Sequence, residues 1–206
     1  MRLIEDALER ALEVPERPTR IVSLVPSITE LLFDLGAGDR VAGVSRYCTE
    51  PAGGVLDGVA RVGGQKDPDL DALCALRPDL VLCVKEENLA RDVDALAARG
   101  IPVYVGDVRS VEDAVALLGE VADLVDAAPD RAETLAAAVR AGVEEARALA
   151  AGVEPLRLFC PVWRDPWISI SPDTYMFDVI RICGGEAIAP GRHPHAGRYP
   201  KVTLAA

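Results

Sequence analysis

The chain holds only two histidines, which alternate at His193 and His195 in a loop flanked by Gly191 and Gly197. Two imidazoles at this spacing offer part of a metal site. Zinc or iron sites take three or four ligands held by a further layer of hydrogen bonds. A Glu or Asp would have to complete such a site, and a polar loop is the plainer account of His193 and His195. Cys48 sits beside Tyr47 in an irregular stretch and is a candidate nucleophile, with the histidines that would activate it far along the chain. Trp163 and Trp167 are the two tryptophans and flank the turn Arg164-Asp165-Pro166. They either pack a core or stack on a flat ligand, since aromatic faces bury a large area at small entropic cost. Tyr47 and Tyr199 stand in loops, which favours the ligand reading. Glu86 and Glu87 read as the first turn of a helix, where carboxylates suit the dipole, and Asp71 reads as a solvated charge on a helix face.

Several function classes are disfavoured. The first strand runs into Leu24-Val25-Pro26-Ser27 with no glycine-rich phosphate cradle, and neither G-x-S-x-G nor HExxH occurs. A net charge of −11 argues against a nucleic-acid partner. The five cysteines, Cys48, Cys74, Cys83, Cys160 and Cys183, are odd in number and form no CxxC pair, which reads as free thiols.

These residues need a frame, and 206 residues of which 50% are hydrophobic supply one large domain or two small lobes. The stretch VGGQKDPDLDALCALRPDLVLCV, residues 62–84, is its clearest unit. Gly63 and Gly64 permit a positive φ or a close approach, Asp67 reads as a helix N-cap with Pro68 at the first position, and the run to Val84 reads as a strand buried on both faces. Before it, residues 1–13 read as an amphipathic helix rather than a leader, residues 21–24 and 41–44 as strands, and Ser27 with Glu30 as a capping box. After it come a helix over 86–99, a strand over 103–105 and a helix opened by Ser110. Strand and helix therefore alternate, which predicts an α/β layer with a parallel sheet.

From residue 129 to about residue 151 an alanine-rich stretch predicts one helix too long for a crossover, better read as a rod between lobes. Beyond it, strands are expected over 156–162 and 168–170, then a helix capped by Ser171 with Met176 and Cys183 inward, then loop over 186–200. The expected division is a helix and linker over 1–19, a first α/β lobe over 20–128, the long helix over 129–152 and a second lobe over 153–206.

The motifs IVSLVPSITELLFDLGAGDRVAGVSRYC, VGGQKDPDLDALCALRPDLVLCV, DTYMFDVIRICGGEAIA and RYPKV resemble the periplasmic-binding-protein family whose two lobes are joined by one long helix. These are receptors of ABC importers for vitamin B12, haem and ferric siderophores, also described as helical-backbone metal receptors. The segments WRDPWISI and KEEN look most like the cobalamin-binding branch. The resemblance implies two Rossmann-like lobes, the second truncated because the family continues through further strand–helix units. It also implies a binding protein rather than an enzyme, with no catalytic cofactor and a cobalamin-like corrinoid or an iron chelate held in the cleft between lobes. Tyr47 matches an aromatic lining that cleft, Gln65 takes the place of a cleft tryptophan, and Tyr199 falls where the opposite lobe supplies one. Gly64, Trp163 and Trp167 complete the expected contact set. Asp71 matches the first-lobe carboxylate that docks on an arginine of an ABC permease, and the second-lobe counterpart falls at Ala205. The family is extracytoplasmic, whereas the start of this chain, read literally without a leader, points to the cytoplasm. The rival of another class is a cytoplasmic enzyme or metal handler using Cys48 or His193 and His195.

Overall fold

The first fourteen residues depart from the helix expected of them. In the computed structural model, which describes residues 1–188 and 197–203, β1 (Arg2–Glu5) pairs antiparallel with β2 (Ala11–Val14). The Asp6 carboxylate accepts the Leu8 N–H at 2.9 Å and the Arg10 N–H at 3.2 Å, which closes the turn. The Ala7 N–H donates to the Val105 carbonyl at 3.0 Å and Arg10 donates to the Val103 carbonyl at 2.9 Å. The amphipathic spacing is thus overridden by an available strand edge, which the hairpin turn covers.

Next come β3 (Ile21–Ser23), α1 (Pro26–Asp34), a 3-10 turn at Gly38–Arg40, β4 (Val41–Val44) and β5 (Ala60–Arg61). α2 (Leu70–Ala75), β6 (Leu80–Val84), α3 (Ala90–Ala97), β7 (Val103–Gly106) and α4 (Val111–Leu124) follow. The five strands β3 to β7 form one sheet in the order β5-β4-β3-β6-β7, all parallel. All residues of β6 are buried, as its unbroken apolar run requires. Val22, Val81, Cys83 and Val105 of the sheet pack with Leu73 of α2 and Val93 and Leu96 of α3.

The helix starts move from their expected positions. Val25, not Ser27, is the N-cap of α1 and uses no side-chain bond, because Pro26 at the first position holds its predecessor extended. Asp69, not Asp67, caps α2 by accepting the Ala72 N–H at 2.9 Å, since Pro68 is engaged in a bridge with Gly63. α3 begins at Ala90, so Glu86 and Glu87 lie in a turn ahead of it. Ser110 does cap α4, its Oγ accepting the Asp113 N–H at 3.1 Å.

The long helix is α5 (Pro129–Ala150), 22 residues with none buried. β8 (Leu156–Leu158), β9 (Pro161–Trp163), β10 (Ile168–Ser169), α6 (Tyr175–Ile182) and β11 (Gly185–Ala187) complete the described elements. β8 pairs parallel with β11, which was expected to be loop, and β9 pairs antiparallel with β10. Thr174 rather than Ser171 is the N-cap of α6, and its buried side passes through Ile182 instead of Met176 and Cys183, which are exposed. Gly184 has φ +78° and lies so near α5 that a Cβ there would stand 2.7 Å from the Ala150 Cβ.

Met1–Asp107 with Leu117–Thr134 form one compact unit, and Val108–Ala116 with Leu135–Ala206 form the other. The division falls inside α4 and α5 rather than at their ends, and the hairpin at residues 1–14 belongs to the first unit.

Candidate functional site

An open parallel sheet offers its ligand crevice at the carboxyl ends of the strands, where the strand order reverses. In the first unit the chain moves outward from β3 through β4 to β5, then returns to β6 on the other side of β3. The reversal therefore lies between β3 and β6, and the loops after β4, β5 and β6 form the rim at that end.

Tyr47 and Gln65 are both on this rim. The loop after β4 is held from below by Arg61, which donates to the carbonyls of Ser45, at 3.3 Å, and of Cys48. Tyr47 stands 56% exposed, with the Arg46 guanidinium 5.7 Å from its ring centre. The Arg46 N–H donates to the Gly63 carbonyl at 2.7 Å and its side chain pairs with Asp67, so the loops after β4 and β5 are tied together. Gly64 is buried beneath this ion pair. A Cβ there would run into the Asp67 carboxylate and stand 3.2 Å from Arg46 Nε.

The third loop carries residues that sequence reasoning assigned to a helix start. Gln65 Nε2 donates to the Glu87 carboxylate at 3.1 Å. Asn88 is buried, accepts the Val84 N–H at 2.9 Å and donates to the Gln65 carbonyl at 3.1 Å. Lys85 pairs with Asp107 at 3.4 Å. The signal for Asn88 was its position, a short amide four residues past the last residue of a buried strand, where an unpaired N–H needs an acceptor.

Cys48 is fully buried. Thr29 Oγ1 lies 3.1 Å and Ser45 Oγ 3.2 Å from its sulfur, and Thr29 Oγ1 also donates to Ser23 Oγ at 2.9 Å. A thiol enclosed in this way has no path to a substrate, so Cys48 is a buried free thiol with a packing role, and the alternative of a nucleophile falls. Cys83 is also buried, and burial pushes its thiol up to about 12. Tyr104, buried and donating to Glu120, is likewise pushed well above the usual phenol value. Asp71 lies away from these contacts, 93% exposed and 3.1 Å from Arg99.

The second unit gathers the remaining aromatics on neighbouring backbone segments. Trp163 of β9 is opposite Ile168 of β10, and Ile168 bridges to Lys201. The Val202 N–H donates to the Trp167 carbonyl at 2.9 Å and the Ser169 N–H to the Pro200 carbonyl at 3.0 Å. Trp163 is 64% exposed and does not pack a core. Trp167 is half-buried, with the Arg164 guanidinium 5.8 Å from its ring centre, and Tyr199 is exposed. His193, His195 and Ala205 lie outside the described residues. Among the described residues no group of three or more His, Cys, Asp and Glu is placed to hold a metal, and no helix is long and apolar enough to cross a membrane.

Comparison with known proteins agrees with this architecture. Residues 21–202 match the periplasmic binding protein family. The vitamin B12-binding protein of Yersinia pestis (strain Pestoides F) is 31% identical over 185 residues, covering 89% of this chain and 64% of that protein. The vitamin B12-binding protein of Yersinia pseudotuberculosis (serotype O:3, strain YPIII) matches to the same extent, so the chain spans 64% of the length of these relatives. Among solved structures, the periplasmic vitamin B12 binding protein BtuF of Vibrio cholerae superposes with a TM-score of 0.77 at 25% identity, over 92% of this chain and 72% of that one. The periplasmic heme-binding protein RhuT from Roseiflexus sp. RS-1 superposes with a TM-score of 0.71 at 25% identity, over 89% of this chain and 70% of that one. With its parallel sheet, its long helix and a match over nearly its whole length, the chain belongs to the periplasmic binding protein family.

Proposed function

We propose that this chain is a substrate-binding protein of an ABC-type importer and takes a cobalamin-like corrinoid. Tyr47 and Gln65 are its contact residues in the first unit, with the buried Gly64 giving room to the Arg46–Asp67 pair beside them, and Trp163, Trp167 and Tyr199 are those in the second. The observation that carries this reading is the 31% identity to vitamin B12-binding proteins over 89% of the chain. It is supported by a rim of polar and aromatic side chains at the sheet's reversal point, the lining expected around a flat macrocycle. Ligand binding without chemical turnover follows from this role.

The test is a titration of the chain with cyanocobalamin, cobinamide, haem and ferric siderophores, followed by visible absorption and by calorimetry. Saturable one-to-one binding of a corrinoid is expected, and binding of haem alone would replace the corrinoid by the second reading. That second reading, a haem-binding protein, is favoured by the likeness to RhuT at 25% identity.

An importer role requires a permease, and Asp71, 93% exposed on α2, is proposed as a docking carboxylate. Stimulation of ATP hydrolysis by a reconstituted corrinoid importer is expected, and Asp71→Arg should abolish it without changing corrinoid affinity. The family's description as periplasmic supports action outside the cytoplasm, which fractionation of cells producing the natural gene product checks.

A further inference from the structure

We infer that Glu87 sets ligand specificity at the first-unit rim by turning the Gln65 amide so that the ligand meets hydrogen-bond acceptors there. This selects amide-bearing corrinoids over macrocycles that present carboxylates. The inference rests on the proposed corrinoid-binding reading and names the chemistry by which that rim would choose its ligand.

The half-buried Glu87 carboxylate accepts here, so the group of Gln65 that faces it at 3.1 Å is the NH2. Among the described residues the other end of that amide, Oε1, carries no hydrogen bond. The backbone beneath is fixed. Asn88 spends its Oδ1 on the Val84 N–H and its Nδ2 on the Gln65 carbonyl, so the loops after β5 and β6 move as one piece.

Two of the rim's cations are already engaged, while Lys66 is exposed and forms no ion pair among the described residues. Arg46 is paired with Asp67, and Lys85 with Asp107. Gln65 and Glu87 themselves offer an incoming molecule an amide oxygen and a carboxylate as acceptors, against the single N–H of Gln65 Nε2 that Glu87 leaves over. A corrinoid carries acetamide and propionamide arms whose NH2 groups donate to such acceptors. A haem propionate brings a second anion and no donor, so it is repelled by Glu87 and leaves the acceptors unpaired. Discrimination of this kind comes from charge opposed to charge and from unmet polar groups in the wrong complex, not from added contact area.

The test compares cobinamide with its carboxylate counterpart, cobyrinic acid, on the whole chain and on two variants. Wild type should prefer the amide form by about tenfold or more, because every arm of cobyrinic acid, including whichever meets Gln65 and Glu87, is a carboxylate that leaves their acceptors unmet. Glu87→Gln can present either end of its own amide to Gln65, so the preference should fall to about threefold or less, mainly through a gain in affinity for the carboxylate form. Gln65→Ala should lose affinity for the amide form with little change for the acid. Thermal unfolding of each variant checks that the fold survives. An unchanged preference in a folded Glu87→Gln protein overturns the inference while leaving corrinoid binding intact. Failure of wild type to bind either corrinoid overturns the reading beneath it, and the inference with it.

Discussion

Tyr47 shows how a single side chain is made available. Its loop is pinned by Arg61 and by the Arg46–Gly63 bond, yet its ring is left 56% exposed. A rigid backbone under an open aromatic loses little entropy on binding. Tyr47→Ala is therefore expected to weaken corrinoid binding by about 1–2 kcal/mol in calorimetry, with an unchanged thermal midpoint. No change in affinity would remove Tyr47 from the contact set. The cysteines divide by the same logic. All five are free, with Cys48 and Cys83 buried and Cys183 exposed. The Cys83 thiol, held at about 12, offers almost no thiolate at pH 8. Alkylation of the native chain followed by peptide mass mapping should label Cys183 first, with Cys48 and Cys83 labelled only after denaturation. Prompt labelling of Cys83 would contradict its enclosure. Individual residues were unevenly legible in the sequence. Tyr47 and Gln65 fell on the rim because loops that follow strands of a parallel sheet share one end. Glu87 and Asn88 were hidden because their work is to hold another loop, and no local pattern in sequence reports a partner more than twenty residues away.

Elements were legible where one strong local cause acted alone. The runs that became β6 and β7 are apolar at every position, as strands covered on both faces must be, and α5 is long and alanine-rich with no stop before its end. The first fourteen residues were not, because their spacing fits a helix in isolation and the edge that makes them a hairpin is β7, some ninety residues on. Caps were misplaced by two or three residues wherever a proline stood at the approach. The start of α4 shows a cap built from afar. Asp178 of α6 accepts the Val111 N–H at 2.9 Å and binds Arg181 at 2.6 Å. Its burial alone would raise its pKa, but the Arg181 hydrogen bond, the Val111 N–H and the charges of Arg181 and Arg147 outweigh this, so the carboxyl lies below its ordinary value. A carboxyl depressed in the folded state stabilises above its unfolded pKa of about 4 and loses that contribution as pH falls through the folded value. Asp178→Ala should cost about 1–3 kcal/mol at neutral pH, the range for a lost charged hydrogen bond and cap. In urea unfolding, the gap between wild type and Asp178→Asn should shrink as pH is lowered from about 5 towards 3. A gap that stays constant over that range would assign the effect to shape rather than charge.

At the scale of the whole molecule, burial is unequal between the two units. The first has an open five-stranded sheet with helices packed on it, and Ile21, Leu32, Leu80, Val81, Leu82 and Leu96 are all fully buried. Among described residues 135–203, the buried apolar side chains are Ile170, Ile182 and Pro200. Ile170 is buried, while the exposed apolar residues include Leu149, Val153, Leu156 and Ile188, at 75%, 65%, 76% and 41%. Leu149, Val153 and Leu156 line a groove of about 440 Å³ together with Ile180 and Gly184. The sheet beside it, β8 with β11, is a two-stranded parallel pair, an arrangement that ordinarily needs further strands and cover on both faces. Few buried contacts and exposed backbone bonds mark a region that opens at low cost. Hydrogen exchange on a dilute sample should therefore show amides of residues 156–188 exchanging at least about tenfold faster than those of β3, β6 and β7, while the midpoint of global unfolding is set by the first unit. Raising the protein concentration should slow exchange around Leu149, Val153 and Leu156 if copies cover that groove for one another, because an apolar surface of this kind is a contact site or an aggregation hazard. Equal protection of both regions at low concentration would show instead that α6 and its short strands close a core of their own, and the unequal burial would then carry no difference in stability.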